Sequence, residues 1–289
     1  MKEYIKESEL ILNNDGSVYH LHLKPEDIAD TIIIVGDPDR VATVSKHFDT
    51  IQLKRQNREI HTHTGYYKNK RITVLSTGMG PDNIDIVINE LDALANIDLD
   101  KRQKKAEHKS LNIIRLGTSG ALQNEIKPGA FIASKYGLGI DGLLNFYAGD
   151  KKNFNNDLSE AFEKHCNWDK TLAKPYASPC SEELLNKLGE GLTTGITLTA
   201  PGFYGPQGRV LRLKLANPDI NKKIESFHFN GMKITNMEME TSALYGLGNL
   251  LGHNTLTICV AIANRVSKKF INDYKQNVEA LIKDVLDKL

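Results

Sequence analysis

The chain is predicted to fold as a three-layer α/β protein, because short apolar runs alternate with segments of helical periodicity along its 289 residues. The runs are rich in β-branched residues and do not alternate cleanly between apolar and polar positions, which is typical of strands covered on both faces. The predicted strands are residues 31–35, 71–76, 112–116, 130–134, 195–199 and 255–260.

Apolar residues at helical spacing predict three helices among these strands. The first covers residues 84–95, with Asp82 as its predicted N-cap. The second covers residues 241–251 and is predicted to end at Gly252, and the third is predicted from an apolar stripe between residues 270 and 289. This alternation of strands and helices favours layers that share one core.

Two polar segments, residues 98–110 and 149–156, are predicted to be exposed, the first as a loop or a helix extension. Predicted core strands resume after each of them, so neither indicates a domain boundary. Residues 1–289 are therefore predicted to form a single domain.

The composition excludes several classes of protein. Lys and Arg number 37 against 36 Asp and Glu, so the chain is nearly neutral, which argues against a nucleic-acid-binding protein that relies on bulk electrostatics. Three cysteines and no CxxC pair argue against a disulfide framework or a thiolate zinc site. No signal peptide and no membrane-spanning run is recognisable, and a soluble cytoplasmic protein is predicted.

Glu238, Met239 and Glu240 lie where an extended run gives way to a helix. Ligand crevices of open α/β sheets lie at the carboxyl ends of strands. A sugar suits this trio, because carboxylates accept hydrogen bonds from hydroxyls and methionine packs beneath a ring. The alternative is a solvated helix start at which acidic side chains are favoured by the helix dipole.

Two other strand ends carry residues that suit an anion. Gly36 and Arg40 follow the first predicted strand, and Arg115 and Thr118 lie at the end of the third. Glycine lets backbone N–H groups approach an anion, and arginine binds phosphate through parallel hydrogen bonds. The alternatives are a buried ion pair for Arg115 and an exposed helix position for Arg40.

The loop of residues 200–209 suits a planar heterocyclic base. Phe203 can stack on a ring, Gln207 offers an acceptor and donors, and Arg209 offers donors. Together they match an edge that alternates carbonyl, N–H and carbonyl. The alternative is an ordinary proline-rich surface loop.

Metal binding is not predicted. His61 and His63 alternate on a probable strand face, but no third ligand lies at a suitable spacing.

Six short motifs occur in the order typical of nucleoside phosphorylases, and the chain resembles that family from about residue 19 to its end. The loop of residues 203–209 resembles the uridine phosphorylase branch of the family. The motifs are Tyr19-His20-Leu21, residues 36–40 (GDPDR), Arg58-Glu59, residues 76–80 (STGMG), residues 115–118 (RLGT) and residues 238–240 (EME).

The resemblance implies one α/β domain around a mixed, twisted sheet, and it implies a role for each motif. Arg58 and His20 would reach the site of a neighbouring subunit, which makes the protein at least a homodimer and leaves a hexamer open. Catalysis would depend on Arg115, Glu240, Gln207 and Arg209. The implied phosphate ligands are Gly36, Arg40, Arg58, Arg115 and Thr118. The implied ribose ligands are His20, Glu238, Met239 and Glu240. The implied base contacts are Phe203, Gln207, Arg209, Ile262 and Ala263.

The activity implied by the resemblance is phosphorolysis of a pyrimidine nucleoside, with uridine favoured, to the free base and ribose 1-phosphate. Such a pentosyltransferase serves nucleotide salvage and uses inorganic phosphate as co-substrate without a cofactor or metal. Hexameric purine-cleaving relatives carry an aspartate where this chain has Asn264, and an amide cannot act as the acid.

Three alternatives remain open: a purine nucleoside phosphorylase, a nucleosidase that uses water, and a nucleoside-binding protein without catalysis. A monovalent-cation site near Glu59 is also left open, because residues 81–83 depart from the family's pattern.

Overall fold

A twelve-stranded mixed sheet lies at the centre of the structure, a computed structural model that describes residues 4–289. Residues 97–98 and 103–104 form a separate two-stranded sheet. The strands are β1 (Thr31–Val35), β2 (Thr50–Asn57), β3 (Ile60–Tyr67), β4 (Lys70–Ser76), β5 (Ile97–Asp98), β6 (Gln103–Lys104), β7 (Asn112–Ala121), β8 (Phe131–Gly139), β9 (Tyr176–Pro179), β10 (Thr193–Thr199), β11 (His228–Phe229), β12 (Met232–Glu238), β13 (Asn254–Asn264) and β14 (Lys269–Phe270).

Helices cover this sheet. Helix α2 packs against α6, and α7 packs against α1 and α4. None of the helices in residues 4–289 is long and apolar enough to cross a bilayer. In chain order they are α1 (Pro38–Ser45), α2 (Pro81–Asn96), α3 (Asn156–Cys166), α4 (Glu182–Leu188), α5 (Ile220–Ser226), α6 (Thr241–Leu251) and α7 (Lys275–Lys288).

The middle of the sheet is parallel and its margins are mixed. Strand β1 pairs in parallel with β4 and β7, and β13 pairs in parallel with β7. Strands β3 and β2 add an antiparallel edge, and β8 is antiparallel to β13 but parallel to β10. Residues 32–35 of β1 are fully buried, as expected for a strand covered on both faces. The predicted three-layer α/β fold around a mixed sheet is confirmed.

Strand β7 is longer than the predicted strand at residues 112–116. It continues to Ala121, because Gly120 and Ala121 pair with Met237 and Asn236 of β12. Residues 117–121 are therefore strand, and they extend β7 towards the end of β12.

The predicted N-cap of α2, Asp82, is wrong, because the observed N-cap lies two residues earlier. The helix begins at Pro81, and its N-cap is Gly80, whose φ of 102° is a conformation that favours glycine. Asp82 lies in the first turn, where the helix dipole favours a carboxylate. Helix α6 has its predicted bounds and ends at Gly252, whose φ is 76°.

The remaining differences lie near the ends of elements. Helix α7 begins at Lys275, whereas Phe270 lies in β14 and pairs with Ala263. The polar segment of residues 98–110 contains the short strand β6, and the loop of residues 149–156 leads directly into α3. Most side chains of both segments are exposed, as predicted.

Candidate active site

A cleft of about 1280 Å³ brings together twelve of the fourteen residues predicted for the site. It lies at the carboxyl ends of β1, β7 and β12, where ligands bind in open α/β sheets. His20 and Arg58 do not line it. The twelve that do are Gly36, Arg40, Arg115, Thr118, Phe203, Gln207, Arg209, Glu238, Met239, Glu240, Ile262 and Ala263.

Arg115 lies at the centre of the cleft between two carboxylates. Its Nη1 is 3.1 Å from Oε2 of Glu238, and its Nη2 contacts Oε2 of Glu240. Burial alone would lower the pKa of this guanidinium, but Glu240 and Glu238 raise it above its usual value. The buried ion pair considered as an alternative is therefore present. A guanidinium has five N–H donors, so donors remain for an anion, and phosphate binding by Arg115 stays a prediction.

Glu240 is fixed by two groups from different elements. Its Oε1 accepts a hydrogen bond of 2.8 Å from the backbone N–H of Gly80, while its Oε2 contacts Arg115. The residue is 5% exposed and lines the cleft. Its carboxylate is therefore held in place by groups of the protein itself.

Glu238 is enclosed more completely. Its carboxylate accepts hydrogen bonds from the hydroxyl of Thr199 at 2.7 Å and from the backbone N–H groups of Glu240 and Thr241, both at 3.0 Å. Burial raises the pKa of Glu238, and the charge of Arg115 opposes that rise. Direct ribose binding by Glu238 stays a prediction, and a ribose hydroxyl would have to compete with these donors.

The phosphate end of the cleft contains a second guanidinium. Arg40, on α1, donates from Nη1 to the carbonyl oxygen of Leu116 at 3.3 Å and lines the cleft, so the exposed helix position considered for it is wrong. Burial lowers the pKa of Arg40, Asp37 opposes the shift, and the like charge of Arg115 adds to it. Two neighbouring cations of this kind suit a phosphate group.

The base end is formed by the loop that precedes α5. Phe203 is 51% exposed, as in a surface loop, but Gln207 is only 3% exposed, and both side chains line the cleft. Arg209 donates from Nη1 to Oε1 of Gln207 and to the carbonyl oxygen of Phe203, both at 2.6 Å. Its guanidinium carbon lies 3.8 Å from the centre of the Phe203 ring. The three side chains predicted to hold the base are thus one connected unit.

Arg265 is a cleft residue that the sequence reasoning missed. Its Nη2 contacts the carbonyl oxygen of Gln207, and its Nη1 lies 3.3 Å from the sulfur of Met237. Its stem packs on Gly120, where an added Cβ would lie 3.1 Å from Cδ of Arg265. Burial and the charge of Arg209 lower the pKa of Arg265 to about 10. Its position directly after the buried strand β13 was the available signal.

The side-chain amide of Asn264 forms all of its hydrogen bonds with backbone groups. Its Nδ2 donates to the carbonyl oxygens of Gln123 and Ile126 at 2.8 and 2.7 Å, and its Oδ1 accepts from the N–H groups of Val266 and Ser267 at 3.0 and 2.8 Å. The residue is 1% exposed. It shapes the turn after β13 and has no group left for proton transfer.

His20 and Arg58 lie on a surface patch outside the cleft. Nδ1 of His20 is 2.6 Å from Oε1 of Glu90, and Arg58 is exposed at the turn between β2 and β3. The guanidinium carbon of Arg58 lies 5.8 Å from the ring centre of Tyr19. One subunit does not bring these two residues to its own cleft, and their role at a neighbouring site stays a prediction.

Asp92, His108 and His253 are the one group of side chains in residues 4–289 close enough together to hold a metal ion. The backbone N–H of Leu111 donates to Nδ1 of His253 at 3.2 Å, which places the imidazole proton on Nε2. Nε2 lies 3.3 Å from Oδ1 of Asp92. It therefore faces the carboxylate as an N–H group, without the lone pair that a metal ion requires.

Known proteins are similar to this chain in both sequence and fold. A uridine phosphorylase of Thermococcus kodakarensis is 31% identical over 276 residues, which cover 93% of this chain and 86% of that protein. A DeoD-type purine nucleoside phosphorylase of Alkaliphilus metalliredigens is 30% identical over 247 residues, which cover 83% of this chain and 84% of that protein. These relatives cleave different classes of nucleoside, as their names state.

Among solved structures, a Trypanosoma brucei nucleoside phosphorylase reported to show uridine phosphorylase activity matches with a TM-score of 0.86. It is 31% identical, and the match covers 97% of this chain and 99% of that one. The model of the family described as "Phosphorylase superfamily" matches residues 30–287. The resemblance predicted from six short motifs is confirmed, and the chain belongs to the phosphorylase superfamily.

Proposed function

We propose that the protein cleaves uridine with inorganic phosphate and releases uracil and ribose 1-phosphate, as a pentosyltransferase. The observation that carries this proposal is the set of groups that line one cleft: the cations Arg40 and Arg115, the carboxylate of Glu240, and the Gln207–Arg209 pair. The uridine phosphorylase of Thermococcus kodakarensis and the Trypanosoma brucei enzyme support the same choice.

The cationic end binds the nucleophile. Arg40 and Arg115 grip phosphate with the backbone of Gly36 and the hydroxyl of Thr118, and they hold one phosphate oxygen beneath the anomeric carbon. This placement removes much of the entropic cost of bringing two substrates together. The phosphate oxygen forms a bond to that carbon as the bond to the base nitrogen breaks.

Glu240 acts at the ribose. Cleavage of a glycosidic bond passes through a state with oxocarbenium character, in which the ring carries positive charge. A carboxylate already fixed by Gly80 and Arg115 accepts ribose hydroxyls and offsets this charge without reorganisation. Met239 packs beneath the ring.

Gln207 and Arg209 act on the leaving base, which takes the electron pair of the broken bond. Arg209 engages one lone pair of the Gln207 oxygen, and the second lone pair accepts the N–H of the pyrimidine. The remaining N–H donors of both side chains stabilise negative charge on the base carbonyls, and Phe203 stacks on the ring. Uracil then takes a proton from water.

Uridine is preferred over inosine in this proposal. Purine cleavage gains from an acid that protonates the ring, and the amide of Asn264 is engaged by four backbone groups. Inosine is the second candidate substrate, because the chain is also similar to the purine nucleoside phosphorylase of Alkaliphilus metalliredigens.

The proposal includes at least a homodimer, in which Arg58 and His20 complete the phosphate and ribose ends of the neighbouring cleft. It needs no cofactor apart from phosphate as co-substrate. A cytoplasmic role in nucleoside salvage is part of it and agrees with three cysteines that are free and buried.

A nucleoside panel tests this function. Uridine, deoxyuridine, thymidine and inosine are incubated with the protein with and without phosphate, and free base is measured. We expect uracil from uridine only when phosphate is present. Equal release without phosphate would identify a nucleosidase, faster release from inosine a purine enzyme, and no release from any nucleoside would reject catalysis.

A further inference from the structure

The carboxylate of Glu238 is already engaged by four donors of the protein itself. The hydroxyl of Thr199 donates to Oε1, and the N–H groups of Glu240 and Thr241 donate to Oε2. Nη1 of Arg115 also lies 3.1 Å from Oε2. The side chain is 2% exposed. These contacts suit a side chain that holds neighbouring groups of the protein in place.

Thr199 supplies the one side-chain hydroxyl among these donors, and the direction of its hydrogen bonds is fixed. It lies at the carboxyl end of β10, directly opposite Glu238 of β12, and is fully buried. Its oxygen accepts from the backbone N–H of Ser242 at 2.9 Å. A backbone N–H can only donate and a carboxylate can only accept, so the hydroxyl proton points at Oε1 of Glu238.

We infer that Thr199 is a positioning residue for the ribose end of the cleft: its hydroxyl clamps Glu238 against the start of α6, so that Arg115 is shared between Glu238 and Glu240. The contacts of Thr199 do not depend on which reaction the protein catalyses, but the expected effect on kinetics rests on the proposed function. Thr199 does not touch substrate and acts through the two carboxylates and the guanidinium.

Loss of the Thr199 hydroxyl changes how Arg115 is shared between Glu238 and Glu240. Glu238 loses one of four donors inside a buried site, where an unmatched charge is costly. The hydrogen bond from Thr199 lowers the pKa of Glu238 against the effect of burial, so its removal raises that pKa further. Ionised Glu238 then draws Arg115 away from Glu240, and Glu238 takes up a proton at a higher pH than it does in the wild type.

Three variants test the inference. Thr199→Val removes the hydroxyl at nearly constant shape, and Thr199→Ser restores it. Thr62→Val is the matched control, because the buried hydroxyl of Thr62 has no hydrogen-bond partner within the described part of the chain and lies outside the cleft. The measurements are kcat and KM for uridine and phosphate, the pH profile of kcat/KM, and the thermal unfolding midpoint.

For Thr199→Val we expect kcat/KM for uridine to fall about tenfold to hundredfold, the range for a hydrogen bond to a charged group. The acidic limb of its pH profile should move to higher pH, because activity needs ionised Glu238 and its pKa has risen. Thr199→Ser should recover both properties, and Thr62→Val should keep them. A lowered unfolding midpoint with an unmoved pH limb and normal kcat/KM would overturn the inference.

Crystal structures of the wild type and of Thr199→Val separate this inference from the proposed function. We expect the variant to show Arg115 displaced from Glu240 towards Glu238. Superimposable positions of Arg115, Glu238 and Glu240 would overturn the inference even if uridine is cleaved. If the wild type cleaves no nucleoside, the proposed function fails, and these coordinates still decide the role of Thr199.

Discussion

The carboxylate of Glu240 and the backbone N–H of Gly80 are joined by a hydrogen bond of 2.8 Å across 160 residues of sequence. Gly80 is the N-cap of α2, so the contact ties a cleft carboxylate to the start of a helix that packs on α6. Its φ of 102° and ψ of 163° lie in a region open almost only to glycine.

Gly80→Ala should therefore weaken both stability and activity. The backbone strain costs about 1–3 kcal/mol, and the new Cβ would lie 2.7 Å from Oδ1 of Asp82. We expect a lower unfolding midpoint and a loss of uridine cleavage beyond that of Gly191→Ala. The control places alanine at another positive φ, 75°, with nothing within 4 Å and away from the cleft. Equal activity in the two variants would contradict the role of the Gly80 N–H.

Arg115→Ala should lose most activity and also stability, because it leaves Glu238 and Glu240 buried without their cation. Breaking a buried ion pair by removing one partner costs about 3–5 kcal/mol. The two carboxyl groups then have pKa values above those in the unfolded chain, so the folded variant binds more protons than the unfolded one. Its deficit in unfolding free energy should therefore shrink as the pH falls.

Denaturant unfolding of Arg115→Ala and the wild type at pH 5 and pH 8 measures this deficit. A deficit that is equal at both values would contradict the ion-pair explanation. Near-normal phosphorolysis in the variant would contradict the phosphate role of Arg115.

Asn264→Asp should not create purine cleavage. Its Nδ2 donates to two backbone carbonyls, and a carboxylate oxygen in that place would face Gln123 and Ile126 without a proton to donate. Unmet buried groups of this kind cost about 1–3 kcal/mol each. The buried aspartate has a raised pKa, so the loss of stability should grow as the pH rises. Inosine assays with unfolding at two pH values measure both, and efficient inosine cleavage would contradict the assignment.

Mixing of inactive variants tests whether Arg58 acts across a subunit interface. Arg58→Ala and Gln207→Ala should each cleave uridine poorly as pure proteins. A mixed dimer has one cleft with an intact Gln207 and an Arg58 supplied by its neighbour, so activity should appear after subunits exchange. Activity that stays at the level of the separate variants would place both residues in one subunit's site, or Arg58 outside the chemistry.

Local sequence patterns predicted most of the strands and helices. Features that depend on contacts between distant parts of the chain could not be predicted in this way. The β-branched run at residues 31–35 marked a buried strand because its own composition demands cover on both faces. The continuation of β7 through Gly120 was hidden, since glycine suggests a turn and the pairing partner, Met237, lies more than a hundred residues away. The same limit concealed that Gly80 is the N-cap of α2.

The cleft residues were found through charge and glycine at strand ends. The sequence offered an ion pair or an anion site for Arg115, and only the structure shows that Glu238 and Glu240 share it. Arg265 was missed as part of the base end because its partner there is a backbone carbonyl oxygen, which carries no sequence signal.

Strand β7 runs without a break from the anion end of the cleft to the heterocycle end and sets the distance between them. Arg115, Thr118 and Gly120 stand on one paired strand, whose rise of about 3.3 Å per residue fixes the separation between the anion end and the heterocycle end. A change of base specificity during evolution or engineering can therefore arise in the loop of residues 200–209, at Ile262 and Ala263 of β13, or in the turn after β13, while the spacing between the two ends of the substrate remains constant.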